Sequence, residues 1–280
     1  MEKENLSSSK ETIFLTFGAG NIRWNRAAKR LKHEAEKLEI FSKIYALNEN
    51  WLYEADLEIY QLVRSFLDSG DLKGFGYWAW KSAILSWANT KYPNATLIYL
   101  DSGFVIPNNE MARQGFLRWI ELASSQGSLA LSLPAHPEYK WTKQETIQEL
   151  DPSGAFADTM QIQGGFIFLT PLAANKFLPR YKELILKNNG FHLRDETEFG
   201  DFPGFISHRN DQSVFSLLWK EMGMFHILDE TDPSDNSGIA IAARYSSGFS
   251  FFSSNYLIRI LRLGERLIAR AQSSVKSFHK

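Results

Sequence analysis

The sequence predicts an α/β domain with a mainly parallel central sheet flanked by helices, followed by a C-terminal amphipathic helix. Three observations carry this. Apolar runs of strand length alternate with amphipathic stretches of helix length through most of the chain, which is the pattern of βα units. At 280 residues the chain can fill one large α/β domain or two small ones. No internal repeat or composition shift forces a further boundary. The expected organisation is a disordered start over 1–11, a single domain over 12–230, and an extension over 231–280 that carries the basic helix.

Thr12 to Phe17, TIFLTF, reads as a first buried strand, and GAGN as the turn after it. Ala27, Leu31, Ala35 and Leu38 recur at helical spacing, which predicts a helix over 25–39 with a basic outer face. FSKIYAL (41–47) is a second short strand, Ile59 to Leu67 a helix ending near Gly70, and Ser82 to Asn89 a helix feeding the strand TLIYL. A helix around 108–125 leads to the strand SLALSL (128–133). The loop PAHPEYKW then enters a short helix near Thr142, where Thr142 and Glu145 form a capping-box pattern. QIQGGFIFL (161–169) is a buried strand with close backbone approach at Gly164 and Gly165. A helix over 172–187, a polar loop over 190–210 and a helix from Asp211 to Met222 complete the pattern.

Composition sets outer limits. The net charge of -1 offers no basic field for nucleic acid. With no cysteine, disulfides, thiolate zinc sites and a cysteine nucleophile are excluded. The polar N-terminus lacks the apolar core of a signal peptide, and no apolar run reaches the ~20 residues of a membrane span. The expected location is cytoplasmic, with contact at the inner face of the membrane as a companion expectation. Aromatic residues make up 14%, and enzymes that bind sugars use aromatic faces as platforms.

Asp101 follows five apolar residues and sits at the C-terminal tip of a buried strand, where open α/β sheets bind ligands. A carboxylate there is costly to bury unless it is paired or metal-bound. It suits an acid that holds a metal-bound phosphate, or equally a turn cap before Gly103. Lys81, in WAWKS, can meet a phosphate as a point charge or lie solvated. HRNDQSVFSLL (208–218) crowds an imidazole, a guanidinium, an amide and a carboxylate at a helix start, where anions are favoured. The plainer reading is that Asn210 or Asp211 caps the helix and Arg209 pairs with an acid. In the C-terminal segment, Leu257, Ile260, Leu261, Leu267 and Ile268 can share one face and Arg259, Arg262, Arg266 and Arg270 another. Such a helix can lie on an anionic membrane, dock on its own domain or pair with a second subunit.

The chain resembles bacterial glycosyltransferases of the GT-A (nucleotide-diphospho-sugar transferase) fold. Four blocks in order carry the resemblance: FLTFGAG, GFGYWAWK with LIYLDSG, PEYKWTK with QIQGGFIFL, and HRNDQSVFSLL. It implies transfer of a hexose-like sugar from a nucleotide-diphosphate donor to a saccharide or glycolipid acceptor in surface polysaccharide or glycoconjugate synthesis. Asp101 matches the first acid of the family's DXD motif, and here the motif reads Asp101-Ser102-Gly103, without the second acid. By the same resemblance Asp101, Asp211 and Gln212 are catalytic. Thr16, Phe17, Gly18, Lys81, Ser102, Gly103, Gly164, Gly165 and Arg209 contact the donor. Asp101 and His208 hold Mn²⁺ or Mg²⁺. Gln212 does not decide between retention and inversion. A non-catalytic nucleotide- or sugar-binding protein on the same fold is the alternative that the missing acid motivates.

Overall fold

The computed structural model describes residues 11–197, 200, 202–232 and 238–243. The expected disordered start and the C-terminal basic helix lie outside the described residues, apart from Glu11 and a few residues after 230. The core is a six-stranded sheet in the order β2-β1-β3-β5-β4-β6. Its strands are β1 (Thr12–Phe17), β2 (Lys43–Leu47), β3 (Thr96–Leu100), β4 (Ser128–Pro137), β5 (Met160–Leu169) and β6 (His226–Leu228). β1 pairs in parallel with β2 and β3, and β4 with β6. β5 runs antiparallel to both its neighbours, β3 and β4. The expectation of a mainly parallel sheet flanked by helices therefore holds, with one reversed strand in the middle.

The helices are α1 (Ile22–Glu36), α2 (Glu49–Ala55), α3 (Leu57–Asp68), α4 (Gly74–Tyr77), α5 (Trp80–Lys91), α6 (Glu110–Gln126), α7 (Glu138–Trp141), α8 (Gln144–Leu150), α9 (Pro171–Leu186) and α10 (Asp211–Glu221). Strand side chains alternate between two faces. Phe14, Ile98, Leu100, Phe166 and Phe168 pack with Leu31 of α1 and Phe116 and Trp119 of α6. Leu15, Tyr99, Ile167 and Leu169 pack on the other side with Ile84 of α5, Phe177 of α9 and Phe215 of α10. Each such fully buried side chain contributes about 1.5–3 kcal/mol relative to exposure, which is why both faces read as continuous apolar runs.

Several local expectations change. α1 begins at Ile22, because the Asn21 side chain accepts the Trp24 N–H at 3.2 Å and caps the helix. Its Arg30 leaves the basic outer face and is buried, with Nη1 donating to both carboxylate oxygens of Glu34 at 3.0 and 2.9 Å. The capping box at Thr142 does not form: the Thr142 hydroxyl donates to Glu138 at 2.6 Å, and α8 begins after Lys143 with no side-chain cap. PAHPEYKW is an extension of β4 followed by α7 rather than a loop.

The block GFGYW before α5 takes an unusual path. Gly74, Phe75, Gly76, Tyr77 and Trp78 all have positive φ, between 53° and 81°. L-residues in this left-handed region cost roughly 1–2 kcal/mol each. Glycine removes that cost at two of the positions, and packing must offset it at the other three. Val63 and Phe66 supply part of it: Gly76 lies against Val63, and Phe66 meets the Tyr77 ring at 5.1 Å. The Trp80 indole donates back to the Gly74 carbonyl at 3.0 Å and closes the turn. α5 therefore leaves the turn in a fixed direction with Lys81 in its first turn. Among the described residues no helix is long and apolar enough to cross a membrane.

Candidate active site

β1 and β3 run in parallel, so their C-terminal ends share one edge of the sheet. The antiparallel β5 brings its N-terminal half to the same edge: Leu100 pairs with Phe166, and the Asp101 N–H donates to the Gly165 carbonyl at 2.9 Å. Asp101 stands two residues beyond Tyr99 and so faces the same side. There the Tyr99 hydroxyl donates to Asp101 Oδ1 at 2.6 Å.

Lys81 rises from α5 into this position. Its Nζ lies 2.7 Å from Asp211 Oδ2, 2.8 Å from the Gly164 carbonyl and 3.4 Å from Asp101 Oδ1. An ammonium has three N–H donors, and three oxygens surround this one. The two ends of the pair of carboxylates differ in exposure. The Lys81 and Asp211 side chains are 3% and 5% exposed, whereas that of Asp101 is 36% exposed. Asp101 is thus the arm that reaches solvent, and Lys81 and Asp211 are its buried support.

Electrostatics follow from that geometry. Burial pulls the Lys81 pKa down, but Asp101 and Asp211 outweigh it, so the net direction is up and the ammonium stays charged. Burial pushes Asp211 up to about 6, against the opposing pull of Lys81. Burial and then Asp101 hold the Tyr99 hydroxyl well above its ordinary range, so it stays a donor. Tyr181 of α9 is shifted the same way by burial and by the fields of Asp211 and Asp101, and its ring packs on Phe215 of α10 with centroids 6.0 Å apart. Asp211 opens α10, where the helix dipole favours an anion.

The two glycines make room. A Cβ on Gly165 would come within 2.6 Å of Asp101 Oδ2, and one on Gly164 within 3.2 Å of the Gln212 backbone. Gln212 is held on both sides: its Oε1 accepts from the Gly164 N–H at 3.3 Å and its Nε2 donates to Gln161 at 2.7 Å. The turn after Asp101 is closed by the Phe104 N–H donating to the Asp101 carbonyl at 2.9 Å, and Ser102 is buried beside Gly103. Arg30 braces that turn from below, donating to the Ser102 and Phe104 carbonyls at 2.9 and 2.8 Å, while Glu34 accepts the Ile106 N–H at 3.0 Å.

The fold therefore brings Lys81, Asp101, Ser102, Gly103, Gly164, Gly165, Asp211 and Gln212 together. Other expected residues go elsewhere. Thr16 and Phe17 are buried, and Phe17 stacks on Trp80 with ring centroids 4.1 Å apart, so these side chains support the edge and do not face a nucleotide. Gly18 is pressed against the α1 backbone, where an added Cβ would meet the Trp24 carbonyl oxygen at 2.1 Å. Arg209 lies with its guanidinium 4.8 Å over the Trp141 ring. Neither Asn210 nor Asp211 caps α10 through its side chain. Asn210 donates to the Leu193 carbonyl at 2.6 Å and Asp211 turns to Lys81.

His208 is corrected most sharply. Its Nδ1 accepts the Lys143 N–H at 3.2 Å and its Nε2 donates to the His192 carbonyl at 2.7 Å. Both nitrogens are spent, and burial lowers its pKa to about 3, so it is a neutral structural imidazole. The residues present do not fit a divalent ion. His208 cannot ligate one, position 103 is glycine, and Lys81 places a positive charge against Asp101. Among the described residues no group of three or more His, Asp or Glu is placed to hold a metal.

The residues not anticipated are Tyr99, Tyr181, Arg30 and Glu34. Period-two alternation in TLIYL could have put Tyr99 on the Asp101 face. A second feature of the same edge is a recess of about 440 Å³ that includes Asn50, Tyr53, Tyr60, Arg64 and Phe75 in its walls. It lies beyond the C-terminal end of β2, and Phe75 also lies against Gly20 after β1.

No family model matches the sequence, and no curated protein matches it. Among solved structures the chain is similar to a glycosyltransferase involved in the glycosylation of the major capsid of PBCV-1, at 14% identity and TM-score 0.44, covering 90% of this chain and 99% of that one. It is also similar to mouse xyloside xylosyltransferase 1 in its apo form, at 14% identity and TM-score 0.42, covering 79% of this chain and 86% of that one. Likenesses this distant carry no argument about chemistry, which rests on the side chains above.

Proposed function

We propose that the chain is a GT-A-type glycosyltransferase that moves a sugar from a nucleotide-diphosphate donor to a saccharide or glycolipid acceptor in surface polysaccharide or glycoconjugate synthesis. One observation carries the reading. Four separated blocks, WAWK, LIYLDSG, QIQGGFIFL and HRNDQS, converge on one sheet edge around a partly exposed carboxylate held by a buried lysine. Open α/β sheets bind ligands at that edge. A buried carboxylate whose pKa is raised by desolvation beside a specific charge partner, as that of Asp211 is beside Lys81, is a candidate for a site of chemistry.

The roles follow the geometry. Asp101 is the group that meets the donor sugar. Its Oδ1 is fixed by Tyr99 and Lys81, so the carboxylate is oriented before any ligand arrives. Gly164 and Gly165 leave space against Asp101 and Gln212. The recess walled by Tyr53, Tyr60 and Phe75 is the seat for the nucleoside, where an aromatic face can stack on a base. Transfer breaks the bond from the anomeric carbon to the diphosphate oxygen, forms one to the acceptor oxygen and releases the acceptor proton.

The test is thermal stability across a panel of nucleoside diphosphates. A ligand that binds only the native state at a hundredfold excess over its Kd adds about 2.7 kcal/mol. At least one nucleotide should raise Tm, and its sugar conjugates should be slowly hydrolysed. Binding without hydrolysis or transfer identifies a non-catalytic nucleotide-binding protein. No stabilisation by any nucleotide contradicts the reading.

A further inference from the structure

We propose that Lys81 is the resident cation of this site: its ammonium takes the place between Asp101 and Asp211 that a divalent ion would need, and it positions the Asp101 carboxylate so that ligands bind at the sheet edge without divalent metal. Two carboxylates from different segments, the turn after β3 and the start of α10, converge on one point, which is the arrangement of a two-acid metal site. Here that point holds Nζ, 2.7 Å from Asp211 Oδ2 and 3.4 Å from Asp101 Oδ1. The third ammonium hydrogen is taken by the Gly164 carbonyl at 2.8 Å, so the charge is anchored to the backbone as well.

A divalent ion at Asp101 Oδ1 would sit beside this ammonium, and like charges repel strongly in a partly buried site. Lys81 cannot swing away at low cost. The three oxygens hold its head, Trp80 and Tyr99 lie beside it with Nζ 6.0 and 5.7 Å from their ring centres, and α5 starts in a direction set by the left-handed turn at 74–78. The histidine expected to complete a metal shell, His208, has both nitrogens engaged. Lys81 thus acts through Asp101. It is a positioning residue, itself too buried to touch a donor.

The test has one arm that is independent of the proposed function and one that rests on it. In the first, Mn²⁺ alone is titrated into the full chain and followed by electron paramagnetic resonance and Tm. Wild type should leave Mn²⁺ free and show no Tm shift. Lys81→Gln, which leaves the two carboxylates facing each other, should bind Mn²⁺ at least tenfold more tightly, and Lys81→Gln with Asp101→Asn should lose that gain. Lys81→Arg should exclude Mn²⁺ like wild type. The proposal is overturned by Asp101-dependent Mn²⁺ binding to wild type, or by a folded Lys81→Gln that gains none. If Lys81→Gln does not fold, the wild-type titration and the second arm decide.

In that second arm, affinity for a stabilising nucleoside diphosphate is measured with EDTA and with Mn²⁺. The two should agree within about twofold, and a tenfold gain with Mn²⁺ overturns the proposal. If no nucleotide binds in either buffer, the proposed function fails while the Mn²⁺ arm still judges Lys81.

Discussion

The Asp101 edge and the His208 pocket carry the same kinds of residue and differ in how their valences are filled. Around His208 each ring nitrogen meets one backbone group, the ring is buried, and nothing reaches solvent. Around Lys81 the three ammonium contacts are also filled, but the network ends in a carboxylate whose side chain is 36% exposed. A closed polar network fixes a fold, and one that ends in an oriented, exposed charge can act on a ligand. Residue type at a helix mouth does not distinguish the two cases, because a histidine next to Arg209 and Asp211 serves either purpose.

Removing one partner of the buried pair should give the largest stability effect. Lys81→Met leaves the buried Asp211 without its cation, and breaking such pairs costs about 3–5 kcal/mol. Urea unfolding measures it. A cost under 1 kcal/mol would mean that Lys81 and Asp211 are not coupled as the distances indicate. His208→Ala should follow, at about 2–4 kcal/mol, from two unmet backbone partners and a cavity. Its specific activity per folded molecule should stay near wild type, and a hundredfold loss would move His208 into the chemistry.

The smallest effect separates the two regions by sign. The Asp211 pKa is raised in the fold, from 3.8 to about 6, so the native state takes up its proton first and is favoured as pH falls from 6 to 3.8. The His208 pKa is lowered, from 6.5 to about 3, so its contribution is present above pH 6.5 and is lost as pH falls through that window. Asp211→Asn should therefore steepen the acid loss of stability below pH 6, and His208→Gln should flatten it. Unfolding free energies at pH 4.5 and 7 test this, and parallel profiles for the two variants would contradict it.

The buried strands were legible because runs such as TIFLTF, TLIYL and QIQGGFIFL have no other stable place than a sheet covered on both faces. β6 and α2 were not, since HIL and ENWLYEA are too short to show a period. The left-handed turn was hidden because Phe75, Tyr77 and Trp78 are residues that normally avoid positive φ, and packing on α3 together with the Trp80–Gly74 hydrogen bond supports them there. In the site, Asp101 was visible as a charge ending an apolar run, and Gly164 and Gly165 as gaps in one. The link from Lys81 to Asp211 spans 130 positions and depends on how α5 and α10 pack, so no local pattern could show it. The role of His208 is not legible for the same reason: its partners, Lys143 and His192, lie 65 and 16 positions away.

The most direct measurement is turnover of a nucleotide sugar by Asp101→Asn beside wild type, with Tm recorded for both. Loss of a positioned reacting carboxylate typically costs 10²–10⁴-fold. A loss of that size is expected in Asp101→Asn with the fold intact. Turnover within threefold of wild type in a folded Asp101→Asn would contradict it.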